Sequence, residues 1–277
     1  MSLSKSNPAA LSALRSMRKA PRAHSTPASK GATALPDVNT SEFQGVRYLH
    51  LGSEWVQGSM IIKEPYQIHL EYVQRMMGWL LFFTSDSLPE RSTMQLGLGS
   101  GAITKFCAKV LHLKTTAIEL NPQVVAACRL WFKLPDDSDR LQVVLADAQD
   151  VVAHTHWQGQ VDALQVDLYD AEAAAPVLDS PEFYQGCKSL LTLDGVMSVN
   201  LFGKNSQFDQ SVAAIRSGFG EGQFWAFRPT KEGNTVVIAQ RGGLPLSREV
   251  LAERAQFIQE KYDLPADKWL KVLKPLD

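Results

Sequence analysis

Four acidic residues, Glu119, Asp147, Asp167 and Asp170, lie at or just after the ends of successive apolar segments of this sequence. A carboxylate in such a position can accept hydrogen bonds from the hydroxyls of a ribose, or take a proton from a reacting group. For each of them the alternative is a structural role at a helix cap or a turn. Asp147, which precedes "AQDVV", fits a helix cap best.

A glycine-rich stretch, "MQLGLGSGAITKF" (94–106), precedes these acids and places Gly97, Gly99 and Gly101 within five positions. Ordered glycine costs conformational entropy, so such a cluster indicates a turn with positive φ or a close approach to the backbone. Between a strand and a helix, the turn would let a ligand contact bare backbone at a helix N-terminus. The pattern is G-x-G-x-G and not the dinucleotide pattern G-x-G-x-x-G. The alternative is tight packing of the helix on the strand.

The sequence after Arg91 alternates predicted strands with predicted helices. Several strands are apolar almost throughout, which is typical of a parallel sheet covered on both faces. The last two strands, joined by "TKEGN", are predicted to form an antiparallel hairpin. The predicted strands are 93–98, 115–120, 141–147, 162–168, 195–201, 224–229 and 235–240, and the predicted helices are 101–112, 122–133, 148–154 and 180–191.

The segments on either side of this pattern are predicted to be smaller units. Between Gly45 and Ile68 the runs "VRYLHLG", "EWVQGSMII" and "YQIHLEY" predict a small antiparallel sheet, and residues 70–83 then take up helical spacing. Residues 247–274 predict two charged amphipathic helices. We therefore predict an α/β fold with a doubly wound, mostly parallel sheet and an N-terminal antiparallel β preface. The predicted units are a disordered tail (1–40), a β-rich subdomain (41–69), the doubly wound domain (70–243) and a helical tail (244–277).

Composition and charge separate the N-terminus from the rest of the chain. The 277 residues carry a net charge of -1 and are 45% hydrophobic, which is typical of a globular protein with a sizeable core. Residues 1–36 contain six Lys or Arg and no acid, with much Ser, Ala and Pro, which predicts a disordered tail. A transit peptide or a nucleic-acid-binding arm would share that composition.

The cysteines and the hydropathy pattern bear on the compartment. The three cysteines are scattered and show no metal-ligand spacing, so we expect buried thiols in a reducing cytoplasm. No apolar stretch is long enough to span a bilayer, and the longest, "MMGWLLFF", has only eight residues. The histidines form no ligand set, so no metal is predicted.

The layout of glycine turn, acid after the second strand and "DA" after the third resembles the class I S-adenosylmethionine-dependent transferases, whose fold is Rossmann-like. Within that group it is most similar to the spermidine synthase (polyamine aminopropyltransferase) family. The supporting segments are "LGSEWVQGSM", "LEYVQRMM", "GLGSGA", "AIELNPQVV", "LADAQDVV", "VDALQVDLYDA" and "PEFYQGCKSLLTLDGVMSVNL". The resemblance covers about residues 45–241, and the stretch "EFYQGCKSLLTLDG" is its most discriminating part.

The resemblance implies a role for individual residues. It implies that Asp167 accepts a proton from an amine nucleophile and that Asp170 and Tyr72 contact that amine. It also implies a nucleoside site, in which the three glycines form the turn, Glu119 holds the ribose, Asp147 and Ala148 meet the adenine, and Gln57 faces the thioether. Those nucleoside-site residues are Gln57, Gly97, Gly99, Gly101, Glu119, Asp147 and Ala148.

The sequence departs from the family pattern at the amine end of the site. Ser100 stands where the family's G-G-G-D-G loop has an Asp that holds the donor's amine, and Leu168-Tyr169 stands in place of two serines. Lys231 replaces a tyrosine near the expected amine pocket, where its charge would repel a diamine. After Tyr72 the chain also lacks the family's Gln-Glu pair.

Three functions remain open from the sequence. The first is an aminopropyltransferase that uses decarboxylated S-adenosylmethionine and a small-molecule amine, as in polyamine biosynthesis. The second is a methyltransferase on the same fold, with S-adenosylmethionine as donor. The third is a degenerate member that binds a nucleoside without catalysis. We expect a cytoplasmic homodimer with no nucleic-acid partner, no membrane attachment and no metal.

Overall fold

The computed structural model describes residues 35–169, 176–202, 206–243 and 245–276. Its first element is a three-stranded antiparallel sheet in which β2 pairs with both neighbours. Gln44 and Gly45 join β1 to β2 with φ of 48° and 79°. Positive φ at both residues suits a two-residue hairpin turn, because it matches the twist of the strands. The strands are β1 Val38–Phe43, β2 Val46–Leu51 and β3 Val56–Ile61.

This sheet lies earlier in the chain than the sequence pattern predicts. β1 begins at Val38, inside the segment 1–40 that is predicted to be a tail and of which residues 1–34 lie outside the described residues. The predicted strand "YQIHLEY" is wrong, because residues 62–67 form turns and a helix begins at Glu71. Its alternation arises because Ile68 is buried in the core and Leu70 and Tyr72 pack against the same cluster at the entry to that helix.

The second sheet has eight strands in the order β11-β9-β10-β8-β7-β4-β5-β6. The five strands from β8 to β6 are parallel, and β10, β9 and β11 add to them antiparallel. The predicted hairpin of the last two strands, β9 and β10, is confirmed. The strands are β4 Ser92–Leu96, β5 Lys114–Glu119, β6 Leu141–Leu145, β7 Val161–Val166, β8 Leu191–Phe202, β9 Gln223–Phe227, β10 Asn234–Gln240 and β11 Leu273–Pro275.

Helices alternate with the parallel strands, and several begin at a side chain that caps the helix. Asn121, Asp147, Ser180 and Ser247 each accept a hydrogen bond from a backbone N–H of the first turn. The α-helices are α1 Glu71–Met76, α2 Ala102–Lys109, α3 Pro122–Trp131, α4 Ala148–Ala153, α5 Pro181–Leu190, α6 Ser206–Phe219, α7 Arg248–Tyr262 and α8 Ala266–Val272, and 3-10 turns cover Met77–Phe82, Leu88–Glu90 and Thr155–Trp157.

Two large apolar clusters cover the eight-stranded sheet. One joins α1, α2, α7 and α8 around the buried side chains of Trp79, Phe106 and Trp269. The other joins α4, α5 and α6 around Tyr184 and Phe219. Burial of these faces supplies the main stabilising force of the fold. The predicted doubly wound α/β class with a β preface is therefore confirmed.

Two elements of the sheet domain are not predicted from the sequence. Helix α6 is missing from the predicted helices, although Phe208, Val212, Ile215 and Phe219 recur at helical spacing. Strand β11 has only three residues and exists through its pairing with β9, which is a tertiary effect. The three cysteines are buried free thiols, as predicted.

Candidate active site

The site forms where the strand order reverses. β4 is the first strand of the parallel set, and its neighbours β7 and β5 lead away in opposite directions. In open α/β sheets a ligand crevice opens at the carboxyl ends of the strands at such a switch point. Asp167 donates its backbone N–H to the Leu96 carbonyl oxygen at 3.0 Å, which joins the ends of β7 and β4. The glycine turn after β4 and the acid after β7 therefore lie side by side.

The three glycines of the turn serve different purposes. Their φ values are 85° at Gly97, 53° at Gly99 and 69° at Gly101, a region that favours glycine. A Cβ on Gly97 would overlap the carbonyl oxygen of Asp167, and Gly101 is the left-handed residue that begins α2. A Cβ on Gly99 would contact only the Gln57 carbonyl oxygen, at 3.3 Å. Gly99 thus leaves open space that a ligand can fill, and both Gly97 and Gly99 line the cavity.

Glu119 occupies the end of β5 with its carboxylate held by the backbone. One oxygen accepts from the N–H of Leu98 at 2.9 Å and the other from the N–H of Asn121 at 2.8 Å. Burial raises the pKa of this carboxyl, and the backbone donors oppose that rise. Each carboxylate oxygen can accept more than one hydrogen bond. Glu119 therefore can still accept hydrogen bonds from a ligand in the cavity that it lines.

Asp147 caps a helix, which is the structural role that its place before "AQDVV" predicts. It is the N-cap of α4, and its side chain accepts from the N–H of Gln149 at 2.8 Å. Asp147 is exposed, Ala148 is buried, and both line the same cavity. The cap does not exclude a ligand contact, since one carboxylate oxygen has no bond to the helix.

Asp167 lines the cavity, is partly buried and has two side-chain donors. Asn200 Nδ2 donates to its Oδ1 at 2.8 Å, and the Tyr72 hydroxyl donates to its Oδ2 at 3.4 Å. Burial raises the pKa of Asp167, and both hydrogen bonds oppose that rise. Burial first, and then the neighbouring Asp167, raise the pKa of Tyr72 well above its usual value. The pair is thus a carboxylate of increased proton affinity beside a neutral phenol.

Two of the remaining predicted contact residues line the cavity, and one lies outside the described residues. Gln57 and Tyr72 line the cavity beside Asp167. Asp170 lies outside the described residues, so its predicted role stays a prediction. Tyr169, before it, donates its hydroxyl to the Asn200 carbonyl oxygen at 2.9 Å.

Two departures from the family pattern have different structural outcomes. Ser100 is only 3% exposed and donates its hydroxyl to the Ser59 carbonyl oxygen at 3.2 Å. Its hydroxyl therefore donates to β3, and Ser100 is not among the residues that line the cavity. Lys231 is exposed on the turn between β9 and β10 and lines the cavity. A cation therefore lines the cavity, and its place near an amine stays a prediction.

The cavity is large and acidic. Its volume is about 1920 Å³, which exceeds the roughly 300–1,000 Å³ of most small-molecule sites and leaves room for two ligands. Among the described residues that line it, carboxylates outnumber cations by eight to three. The carboxylates are Glu64, Glu71, Glu119, Asp147, Asp167, Glu232, Asp263 and Asp267, and the cations are Arg75, Lys231 and Lys268.

Sequence reasoning missed the amide side chains that support Asp167. Asn200 lies near the carboxyl end of β8 and is 3% exposed, and Asn234 begins β10 and is 8% exposed. The Asn234 Nδ2 atom donates to the Asn200 Oδ1 atom at 3.1 Å. The sequence signal that could have identified Asn200 is its position near the end of "GVMSVNL". Because β8 runs parallel to β7, the two strands end at the same edge of the sheet.

Among the residues that the structure describes, no group of three His, Cys, Asp or Glu side chains could hold a metal ion. Within the same residues, no helix has the length and the apolar character needed to cross a membrane.

Comparison with known proteins identifies proteins that share the sequence or the fold of this chain. No model of a known protein family matches the chain. The polyamine aminopropyltransferase of Chromobacterium violaceum is 31% identical over 243 residues, which cover 87% of this chain and 90% of that protein. A probable spermidine synthase from Corynebacterium glutamicum has a similar structure, with a TM-score of 0.66 and 17% identity over 89% of this chain and 93% of that one.

The same fold also occurs in a methyltransferase. The structure of human methyltransferase-like protein 13 in complex with SAH has a TM-score of 0.61 and 22% identity, over 76% of this chain and 96% of that one. These structures share the fold, whereas the Chromobacterium protein shares sequence along almost its whole length. The chain belongs to the polyamine aminopropyltransferase family.

Proposed function

We propose that this protein transfers an aminopropyl group from decarboxylated S-adenosylmethionine to an amine, a reaction of polyamine biosynthesis. The observation that carries the proposal is Asp167, a carboxylate of raised pKa that bonds to Tyr72 beside the glycine turn. Family membership agrees with it, since the related protein of Chromobacterium violaceum is named a polyamine aminopropyltransferase.

The residues around the glycine turn would hold the nucleoside part of the donor. Glu119 would accept hydrogen bonds from the ribose hydroxyls, and the bare backbone at Gly99 would allow close contact. Asp147 and Ala148 would meet the adenine, and Gln57 would face the sulfur. What supports this assignment is that these residues, with Gly97, line one continuous cavity, whereas Gly101 serves the start of α2.

The proton of the amine would pass to Asp167. An amine must be neutral to act as a nucleophile, and its lone pair would form a bond to the carbon beside the sulfonium. The C–S bond would break as the C–N bond forms, its electron pair would stay on sulfur, and the released proton would reside on a carboxylate oxygen of Asp167. Tyr72 and Asp170 would orient the amine. A raised pKa makes Asp167 a better proton acceptor near neutral pH than an ordinary aspartate.

The charge of the cavity supports a cationic acceptor. A free amine arrives protonated, and the excess of carboxylates around the cavity attracts it. Lys231 opposes this attraction at the mouth of the cavity, where it is exposed and screened by solvent.

A methyltransferase is the second candidate, and one observation favours it. Ser100 turns its hydroxyl to Ser59, so this position offers no carboxylate to the amine of a decarboxylated donor. A protein that binds the nucleoside without catalysis is the third candidate.

Titration calorimetry separates the three candidates when it is combined with a transfer assay. We expect tighter binding of decarboxylated S-adenosylmethionine than of S-adenosylmethionine, and transfer to a linear diamine. Preference for the carboxylated donor would favour a methyltransferase. Binding of methylthioadenosine without transfer of either group would favour a non-catalytic protein, and no binding at all would refute the site.

Three organisational features belong to the same proposal. We propose a cytoplasmic location, supported by three buried free thiols, and assembly as a homodimer, which light scattering would test. We also propose the division into an N-terminal tail, a β-rich subdomain, a catalytic domain and a helical tail. The pairing of β11 with β9 fastens that last segment to the catalytic sheet.

A further inference from the structure

A chain of two buried amides runs from the β9–β10 turn to the carboxylate of Asp167. Asn234 Nδ2 donates to Asn200 Oδ1 at 3.1 Å, and Asn200 Nδ2 donates to Asp167 Oδ1 at 2.8 Å. Asn234 reaches Asp167 through Asn200 and has no hydrogen bond to Asp167 itself. Its backbone instead closes the turn, because its N–H bonds to the Thr230 hydroxyl and its carbonyl accepts from the Thr230 N–H.

The orientation of the Asn200 amide in this hydrogen-bonded network depends on Asn234. A side-chain amide has one end that donates and one end that accepts, and the two ends have almost the same shape. Asn200 could therefore present its NH₂ group to an ionised Asp167, which only accepts, or its oxygen to a protonated Asp167, which can donate. A donor from Asn234 occupies the oxygen and therefore favours the orientation in which the NH₂ group faces the ionised carboxylate. Because both asparagines are buried, solvent does not replace these bonds.

We propose that Asn234 is a positioning residue for the proton acceptor, because it fixes which end of the Asn200 amide meets Asp167. This inference rests on the proposed function for its catalytic meaning, and on the two hydrogen bonds alone for its structural content. It also links the turn that carries Lys231 and Glu232 to the carboxylate of Asp167, and all three residues line the cavity.

The consequence of the proposal is a defined proton affinity at Asp167. The bond from Asn200 stabilises the charged carboxylate, as does the bond from Tyr72, against the effect of burial. Among the described residues, Tyr169 on the loop after β7 also faces this cluster, and burial raises its pKa as well. If Asn200 turned its oxygen toward Asp167, repulsion between the two acceptors would favour the protonated acid.

The first test replaces the donor and follows the pH dependence of the reaction. In Asn234→Leu the acidic limb of the kcat/KM profile should move to higher pH by about one unit, the size expected when a hydrogen bond to a carboxylate is lost. The rate should recover well above that limb, and affinity for methylthioadenosine should not change. Thr230→Val is the matched control, because it removes the hydroxyl that bonds to the Asn234 backbone and leaves both amide bonds in place. An equal shift in both variants would assign the effect to the turn and overturn the proposal.

A second readout does not depend on catalysis. Carbon-13 NMR of labelled aspartate carboxyls, with Asp167→Asn used to assign the signal, gives the titration midpoint of Asp167. Asn234→Asp, which keeps the size and replaces a donor by an acceptor, should raise that midpoint at least as much as Asn234→Leu. In an Asn200→Ala background neither substitution at 234 should act through the amide, so the effect of Asn234→Leu should vanish there. An unchanged midpoint in Asn234→Leu would overturn the proposal, while a wild-type protein without transfer activity would refute only the proposed function.

Discussion

Glu119 shows how one carboxylate can serve the fold and a ligand together. Its two oxygens already accept N–H groups from Leu98 and Asn121, which fix the turn after β4 and the start of α3. The geometry therefore holds the carboxylate in place before a ligand arrives. Such preorganisation reduces the free energy that binding must spend on ordering the site.

The substitution Glu119→Gln tests its role toward the ribose. The amide keeps the size of the side chain, but its NH₂ end cannot accept a hydrogen bond. We expect the binding free energy of methylthioadenosine to weaken by about 1.5–3 kcal/mol, the range for a hydrogen bond to a charged group. Titration calorimetry measures this change, and thermal melting reports any loss of the bond to Leu98 or Asn121. Equal affinity in the two proteins would leave Glu119 a purely structural residue.

Asp167 is the residue on which catalysis should depend most. Asp167→Asn keeps the shape of the side chain and the acceptor for Asn200, but it deletes the proton acceptor. We expect the rate of transfer to fall about 10²–10⁴-fold, which is typical of general-base removal. Affinity for methylthioadenosine should stay nearly the same. A variant with near wild-type turnover would exclude Asp167 as the base.

The stability of the same variant depends on pH in a predictable direction. Burial raises the pKa of Asp167 in the folded protein, so folding favours its protonated form. Wild-type stability is therefore lost as the pH rises from about 4, the value of an unfolded aspartate, through the raised pKa. Asparagine does not titrate, so the melting temperature of Asp167→Asn should exceed that of wild type at about pH 7 and match it below about pH 4. A lower melting temperature at neutral pH would instead indicate a capping role.

Among the elements, the turn between β4 and α2 combines three requirements in five residues. Gly97 allows β4 and β7 to approach, Gly101 begins the helix, and Gly99 keeps one side open to the cavity. A side chain at Gly99 would enter a backbone region that disfavours it and would contact the Gln57 carbonyl oxygen.

We expect Gly99→Val to abolish detectable binding of methylthioadenosine in a folded protein. The control is Gly159→Val, because Gly159 has a similar φ of 68°, faces open space and does not line the cavity. Both variants carry comparable backbone strain, of about 1–3 kcal/mol. Only Gly99→Val should lose the ligand in calorimetry. Loss of binding in both variants would assign the effect to backbone strain, and retention in both would leave the turn without a ligand role.

The elements also show why sequence predicts one part of the site and not another. The strands β4 to β8 and the acids at their ends follow from local pattern, because a buried parallel strand is a short apolar run and the end of each run is visible. The cap at Asp147 follows from a local rule as well. The bonds of Asp167 do not, since Tyr72 and Asn200 lie 95 and 33 positions away and meet it only through the strand order.

The position of Ser100 shows the same limit at a single residue. Its place in the glycine turn is evident from the sequence, but its bond to Ser59 depends on how β3 packs against the turn. Helix α6 is a different case, because its spacing is regular and the sequence contains the information. The bond of Ser100 could not be predicted because it depends on tertiary contacts. Helix α6 could have been predicted, because its pattern is local.

For the whole molecule, the acidic cavity is the dominant electrostatic feature of the proposed amine site. The chain carries a net charge of only -1, but residues 1–36 contain six basic residues and no acid, so the remainder has a charge of -7. Carboxylates from the parallel sheet, the segment at 62–75 and the α7–α8 corner converge on one cavity. Such a concave surface, with an excess of negative charge, concentrates ligands of opposite charge.

Salt should therefore weaken the binding of the amine and leave the binding of the nucleoside almost unchanged. We expect the KM for a linear diamine to rise about three- to tenfold between about 50 mM and about 500 mM salt, because the Debye length falls below the width of the cavity. The affinity for methylthioadenosine, which is neutral, should change little over the same range. Lys231→Gln should lower the KM for the diamine at low salt by removing the exposed cation at the cavity mouth, and this gain should disappear at high salt. Equal salt dependence of the two ligands, or a KM that rises in Lys231→Gln, would show that the field of the cavity does not select a cationic acceptor.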